Sequence, residues 1–295
     1  MDDALRYVWN MIVKPVLQRL QLLRDETCHP SSLTRIWWIS GGVLSLMPLH
    51  AVGHHEPGSM ENTISHVVSS YATTLKSLEF LRKKEQTSLV DQKHEVLVIS
   101  MPTTPGTFYP LDVGKEVDAI KTFAEPWAHV TALERPRKSE VIEALQRCTI
   151  AHFACHGMAD PVDPLKSNLL LGRDELEKLS IEDFDKMAFE KASIIYLSAC
   201  STAELKVRNL ADESLHLASS LQLAGFQHVI ATAWGAKDRA AVEVAKSFYA
   251  ALQKATVTDV VNVAEALHMA VVSLRNTGEN WKDISLWGPF VHLGT

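Results

Sequence analysis

The sequence predicts an α/β protein built on a mostly parallel sheet with helices on both faces. Three observations lead there. Short apolar runs alternate with stretches of helical spacing, the pattern of βαβ units. Two of those runs, 149–157 (TIAHFACHG) and 193–202 (SIIYLSACST), end at reactive side chains, His156 and Cys200. The composition, 46% hydrophobic and 22% charged over 295 residues, is that of a globular chain with ample core.

Taken in order, residues 4–20 carry apolar side chains at Leu5, Val8, Trp9, Ile12, Val13, Val16, Leu17 and Leu20. These spacings of three and four make one stripe of an amphipathic helix, which must dock either on the body of the domain or on a helical array. Residues 28–32 (CHPSS) break the pattern, and 35–40 (RIWWIS) read as a strand. The histidine-, proline- and glycine-bearing stretch 50–61 is a loop, 65–70 a strand and 74–84 a helix. The polar run 83–94 (KKEQTSLVDQKH) marks a boundary between two lobes. Beyond it come strands at 95–101 and 129–133, with helices at 111–123 and 138–146. The His156 strand follows, then a hairpin around 169–174, the Cys200 strand and a helix over 213–223. A strand at 227–233 and helices at 238–253 and 258–275 complete the pattern.

A net charge of −6 gives no footprint for nucleic acid or an anionic membrane. No segment approaches the roughly 20 apolar residues of a membrane span. Asp2 and Asp3 replace the basic start of a secretory signal, and Lys14 interrupts the apolar stretch. Cys28, Cys148, Cys155 and Cys200 show neither C-x-x-C spacing nor the density of a disulfide scaffold. Free thiols and a cytoplasmic location are therefore expected.

In an open α/β sheet, functional groups gather beyond the carboxyl ends of parallel strands. If the two runs are neighbouring strands, an imidazole and a thiol emerge side by side. A thiol is nucleophilic as its thiolate, and a nearby imidazole removes its proton. Attack on an amide carbonyl builds an oxyanion that needs donors. Gly157 offers a backbone N–H with no Cβ in the way, and the N–H of Cys200 is the natural second donor. No metal or organic cofactor is required by this chemistry.

The motifs HFACHG (152–157), LSACST (197–202), DESLHLASSLQLAGFQHVIATAW (212–234), the Phe248-Tyr249 pair and WGPFVHLG (287–294) resemble the CHAT domain, a caspase-like module related to separases. Upstream, WWISGGVLSLMPLHAVG (37–53) and VVSSYATTL (67–75) resemble its amino-terminal half. The resemblance covers nearly all of the chain after residue 33. It implies a caspase-like sheet, with His156 as general base and Cys200 as nucleophile of a cysteine endopeptidase. It further implies a smaller, degenerate N-terminal caspase-like lobe that lacks its own dyad. The expected organisation is an N-terminal helix and linker (1–32), this pseudo-caspase lobe (33–93) and the catalytic lobe (94–295). Helical repeats that commonly precede such a module are absent, leaving one helix whose stripe (Leu5, Trp9, Ile12) is where an upstream helical-repeat or regulatory partner would bind.

Several residues read in two ways. Asp212 and Glu213 precede a helical pattern, as a cap and a first-turn acid would; alternatively Asp212, with Glu213 beside it, forms an acidic pocket wall that selects a basic residue before the scissile bond. Trp234 is either core packing or a wall of the peptide groove, and Asp238 is a helix cap. Cys155 should face away from His156 as a small core residue, whereas His152 shares its face, deeper in the sheet. His50, His54 and His55 lack the accompanying ligands of a zinc site. The reading adopted is a cysteine endopeptidase acting on a protein or peptide substrate. Its rivals are a latent or non-catalytic signalling module of the same fold, and a thiol amidase with a small substrate.

Overall fold

The computed structural model describes residues 2–24, 33–83, 94–158, 160, 163–187, 191–198, 220–222, 224–258 and 262–295. The first helix, α1, runs through Asp2–Val8, a π-helical turn at Trp9–Val13 and Lys14–Arg19. Its stripe of Leu5, Val8, Trp9, Val13 and Leu17 is buried in the main core, so the stripe docks on the body of the domain itself. Trp9 Nε1 and Lys14 Nζ both donate to Glu61, at 3.0 and 2.7 Å, pinning the helix to the loop that follows residue 50.

The strands are β1 (Thr34–Trp38), β2 (Val67–Tyr71), β3 (His94–Ser100), β4 (Ala128–Glu134), β5 (Ile150–Ala154), β6 (Gly157–Met158), β7 (Asn168–Leu171), β8 (Glu177–Ser180), β9 (Ile194–Leu197), β10 (His228–Thr232) and β11 (Phe290–Gly294). Eight of them form one sheet in the order β1-β2-β11-β10-β9-β5-β3-β4, and β6-β7-β8 form a separate antiparallel sheet. In the large sheet every pairing is parallel except β10 with β11. The mostly parallel sheet expected from the alternation of strands and helices is thus observed, with parallel pairing as its rule. β11 departs from it, returning antiparallel to β10 and parallel to β2, so that it bridges the first two strands to the rest.

The helices after α1 are α2 (Leu75–Lys83), α3 (Gly114–Ala124), α4 (Lys138–Leu145), α5 (Ile181–Asp185), α6 (Asp238–Thr258), α7 (Val263–Asn276) and α8 (Ile284–Trp287). Alternation along each strand sends successive side chains to opposite layers. Val96, Val98, Ile150, Ile194, Tyr196 and Ile230 face the core shared with α1, α3, α6 and α7. Leu97, Ile99, Ala151, Phe153, Ile195 and Val229 face the core shared with α4 and α5. The result is a three-layer sandwich buried on both faces, which explains why β5 and β9 read as apolar runs, interrupted only by His152 in β5. Asn262 caps α7 through Glu265 N, placing the start of that helix five residues later than its apolar spacing suggests. The helix expected over 213–223 is described only at residues 220–222, and these are helical.

Candidate active site

The chain order along the sheet reverses between β3 and β5. From β3 it steps outward to β4, then crosses back to β5, β9 and β10. Such a switch point is where functional groups of an open α/β sheet gather. His156 lies at it, two residues past β5 and 2% exposed. On its other side β5 pairs with β9 from Ile150↔Ile194 to Phe153↔Leu197, and Ser198 N extends the ladder to Phe153 O at 2.9 Å.

The loop after β3 clasps the His156 ring. Its Nε2 bonds the backbone carbonyl of Tyr109 at 2.9 Å. A carbonyl can only accept, so Nε2 carries the hydrogen and Nδ1 of the neutral ring is left with its lone pair. Phe108 and Tyr109 flank the imidazole, with ring centroids at 5.5 and 5.0 Å. The loop itself is closed by Met101 N to Ala154 O, Leu111 N to Pro102 O and Asp112 N to the Asp238 carboxylate. Leu111 and Val113 pack on Ala154 of β5. Asp238 thus heads α6 while tethering the loop that orients His156.

Gly157 opens β6, opposite Leu169 of β7. Leu170 N donates to His156 O at 2.8 Å, which makes the flanking position a hydrogen-bonded pair. In an antiparallel ladder such pairs alternate with non-bonded ones, so the N–H of Gly157 is turned away from β7.

Beneath this strand end lies a buried polar network. Glu116 of α3 accepts from His152 Nε2 (3.1 Å) and from the Ser198 hydroxyl. The side chains of Glu116 and His152 are 3% and 0% exposed. Tyr249 of α6 meets His152 Nδ1 at 3.3 Å, and the Tyr196 ring stacks on the imidazole at 4.5 Å. Burial, with the Glu116 carboxylate adding to it, pushes both phenols well up from their ordinary range, so they stay protonated.

Of the residues singled out in the sequence, the structure brings His156 and Gly157 to one strand end. Cys200, Asp212 and Glu213 lie outside the described residues. Trp234 stands two residues beyond β10, half-buried and packed on the α4–α5 side of the core. Cys155 is buried in that same core, on the face opposite His152. His50 is buried against Tyr71 and the Gly288 carbonyl, at 2.7 and 3.0 Å. Among the described residues no group of three or more His, Cys, Asp or Glu is arranged to hold a metal ion. Two participants escaped the sequence reading. Tyr109 acts through its main chain, which leaves no mark on residue type. Glu116 did leave one, a charge on the stripe Val113, Glu116, Ile120, Ala124 that α3 buries.

The architecture is that of the caspase-like peptidases. Gingipain R, the Arg-specific cysteine proteinase RgpB of Porphyromonas gingivalis, superposes with a TM-score of 0.55 at 9% identity, covering 83% of this chain and 56% of its own. Separase of Saccharomyces cerevisiae, in its complex with securin, superposes with a TM-score of 0.57 at 12% identity, covering 90% of this chain and 15% of its own. The chain therefore spans about half of the gingipain and a small part of the separase, and at these identities the likeness is one of fold. No curated protein sequence matches it significantly. The CHAT domain family matches residues 2–295, and the chain belongs to that family. Among the described residues no helix is long and apolar enough to cross a membrane.

Proposed function

We propose that this chain is a cysteine endopeptidase with Cys200 as nucleophile and His156 as general base. One observation carries the reading. The register of β5 with β9 is offset by 44 residues (194 − 150), and the same offset separates His156 from Cys200 (200 − 156). The two residues are therefore equally far along the sequence from paired positions of neighbouring parallel strands, and with Nε2 turned to the Tyr109 carbonyl, Nδ1 is the proposed base.

In the proposed reaction Nδ1 takes the thiol proton and the Cys200 sulfur bonds to the substrate carbonyl carbon. The resulting oxyanion is held by the N–H groups of Gly157 and Cys200. Collapse breaks the C–N bond as His156 protonates the leaving amine, and water then hydrolyses the thioester to restore the thiol. Asp212 and Glu213, with Trp234, form the proposed recognition wall. Two acids there favour a basic residue before the scissile bond, in line with the Arg specificity of gingipain R. We assign residues 33–93 to a degenerate half without a dyad and 94–295 to the catalytic half. A reducing, cytoplasmic setting suits Cys148 and Cys155, neither of which is in a disulfide.

The test is cleavage of a diverse peptide pool by the purified chain beside its Cys200→Ala variant. Cleavage confined to the unsubstituted chain, with Lys or Arg enriched before the cut, is the expected result. Cleavage by neither, together with no labelling of Cys200 by an acyl probe, would favour a non-catalytic module instead.

A further inference from the structure

We infer that Glu116 is a positioning residue that locks the Cys200 end of β9 against the His156 end of β5. The inference rests on the dyad proposed above. A carboxylate in an apolar layer is costly unless its oxygens are satisfied, so its retention needs a reason. Here both donors come from the two strands that carry the dyad. His152 stands four residues before His156, and Ser198 two residues before Cys200. One carboxylate on α3 thus bridges β5 and β9 where their described ladder ends, at Ser198 N to Phe153 O. Past that point β6 turns off to pair with β7. A thiol and an imidazole must be held to about half an ångström to react as a pair, and the backbone ladder alone stops short of them.

The bridge is itself braced. Tyr249 of α6 engages the second nitrogen of His152, and Tyr196 stacks on the ring. Helices α3 and α6 are in this way tied to the same two strand ends. The electrostatic effect of Glu116 runs the other way, because a buried negative charge near a thiolate disfavours its formation. A charge-only role predicts that neutralising Glu116 helps the thiolate, whereas a positioning role predicts slower acyl transfer. The two are therefore separable.

The experiment compares Cys200 in the full chain with Glu116→Gln, Ser198→Ala, Tyr249→Phe and His156→Ala. Two probes are followed at Cys200 by mass spectrometry. Iodoacetamide against pH reads the thiolate fraction. p-Nitrophenyl acetate, whose acyl carbon the sulfur attacks with loss of p-nitrophenolate, reads alignment with base and oxyanion donors. Glu116→Gln and Ser198→Ala should acylate about tenfold more slowly, a loss larger than any change in the thiolate fraction read by iodoacetamide. Tyr249→Phe should show a smaller loss of the same kind, and thermal melts confirm that each variant is folded. Folded Glu116→Gln and Ser198→Ala variants that acylate at the unsubstituted rate, while His156→Ala is slow, overturn the positioning role alone. Acylation slowed only as far as the thiolate fraction read by iodoacetamide falls also overturns it. A His156→Ala variant as fast as the unsubstituted chain overturns the dyad and, with it, this inference.

Discussion

Acidification from neutrality to about pH 5 should destabilise this fold well before its carboxylates titrate, and His50 shows why. Its Nε2 bonds the Gly288 carbonyl, so that nitrogen bears the hydrogen, and Nδ1 accepts the Tyr71 hydroxyl at 2.7 Å. The backbone N–H of His50 in turn donates to the Tyr71 oxygen. Every atom of the group is matched to a neutral imidazole. Burial lowers its pKa to about 4, and the neighbouring His268 and His55 push the same way against the Gly288 bond. The unfolded chain binds the proton near the ordinary value of about 6.5, so the contribution of neutral His50 is complete above that pH and is lost as pH falls toward 4. The slope is about 1.4 kcal/mol per pH unit, or about 2 kcal/mol by pH 5 from this one residue. Burial beside Arg35 lowers His228 to about 3 and holds His292 well below its ordinary value, so both steepen the loss from the same starting pH. Carboxylates held low, such as Glu61 by Lys14 and Asp283 by the Ser285 hydroxyl, act only at lower pH. The assay is urea unfolding by tryptophan fluorescence at several pH values between about 7.5 and 5. His50→Gln, whose amide can meet both partners, should cost about 1–2 kcal/mol at neutral pH and remove about one proton from the slope. A stability that is flat over this range, or an undiminished slope in His50→Gln, would refute the argument.

Three further outcomes follow from packing and backbone geometry. Trp9→Ala empties a fully buried site under α1 and should lower unfolding stability by about 3–5 kcal/mol in the same urea assay. Gly294→Ala forces a Cβ to 2.2 Å from the Gln227 carbonyl at a φ of +143°, and a melting temperature unchanged from the parent would contradict the strand geometry. Leu111→Ala should cost about 2–3 kcal/mol. It should also loosen the loop that presents the Tyr109 carbonyl, seen as faster amide exchange at Leu111, whose N–H is bonded to Pro102.

Much of this arrangement was legible because buried parallel strands write themselves as short apolar runs. β3 and β10 fall within a residue of their runs at both ends, and β5 and β9 begin within a residue of theirs. The stripe on α1 was equally plain, although spacing cannot say what a stripe packs on. The strand β11 was not legible. FVHLG is five residues long with a histidine inside it, and only tertiary pairing makes it the central joint of a sheet. The start of α7 could have been read from Asn262 with Glu265 three residues on, a capping signal overlooked in favour of the apolar run before it. In the candidate site, His156 and Gly157 announced themselves by chemistry and position. The Tyr109 carbonyl could not, since any residue supplies one and only the closure of the loop aims it.

The insertion of β11 has a consequence for synthesis. β2 finds its second neighbour in the sheet only at Leu293, 222 residues after Tyr71 (293 − 71). Until those last residues are made, β2 has only β1 to pair with, and its other edge and its apolar side chains are left uncovered. Such an edge is a template for pairing with other chains. Pairings this remote in sequence are also slow to close. The N-terminal strands therefore depend on α1, or on a chaperone, to shield them until residues 290–294 emerge. A ribosome stalled before Phe290 would release a chain with two unmatched sheet edges, the form of this protein most prone to aggregate.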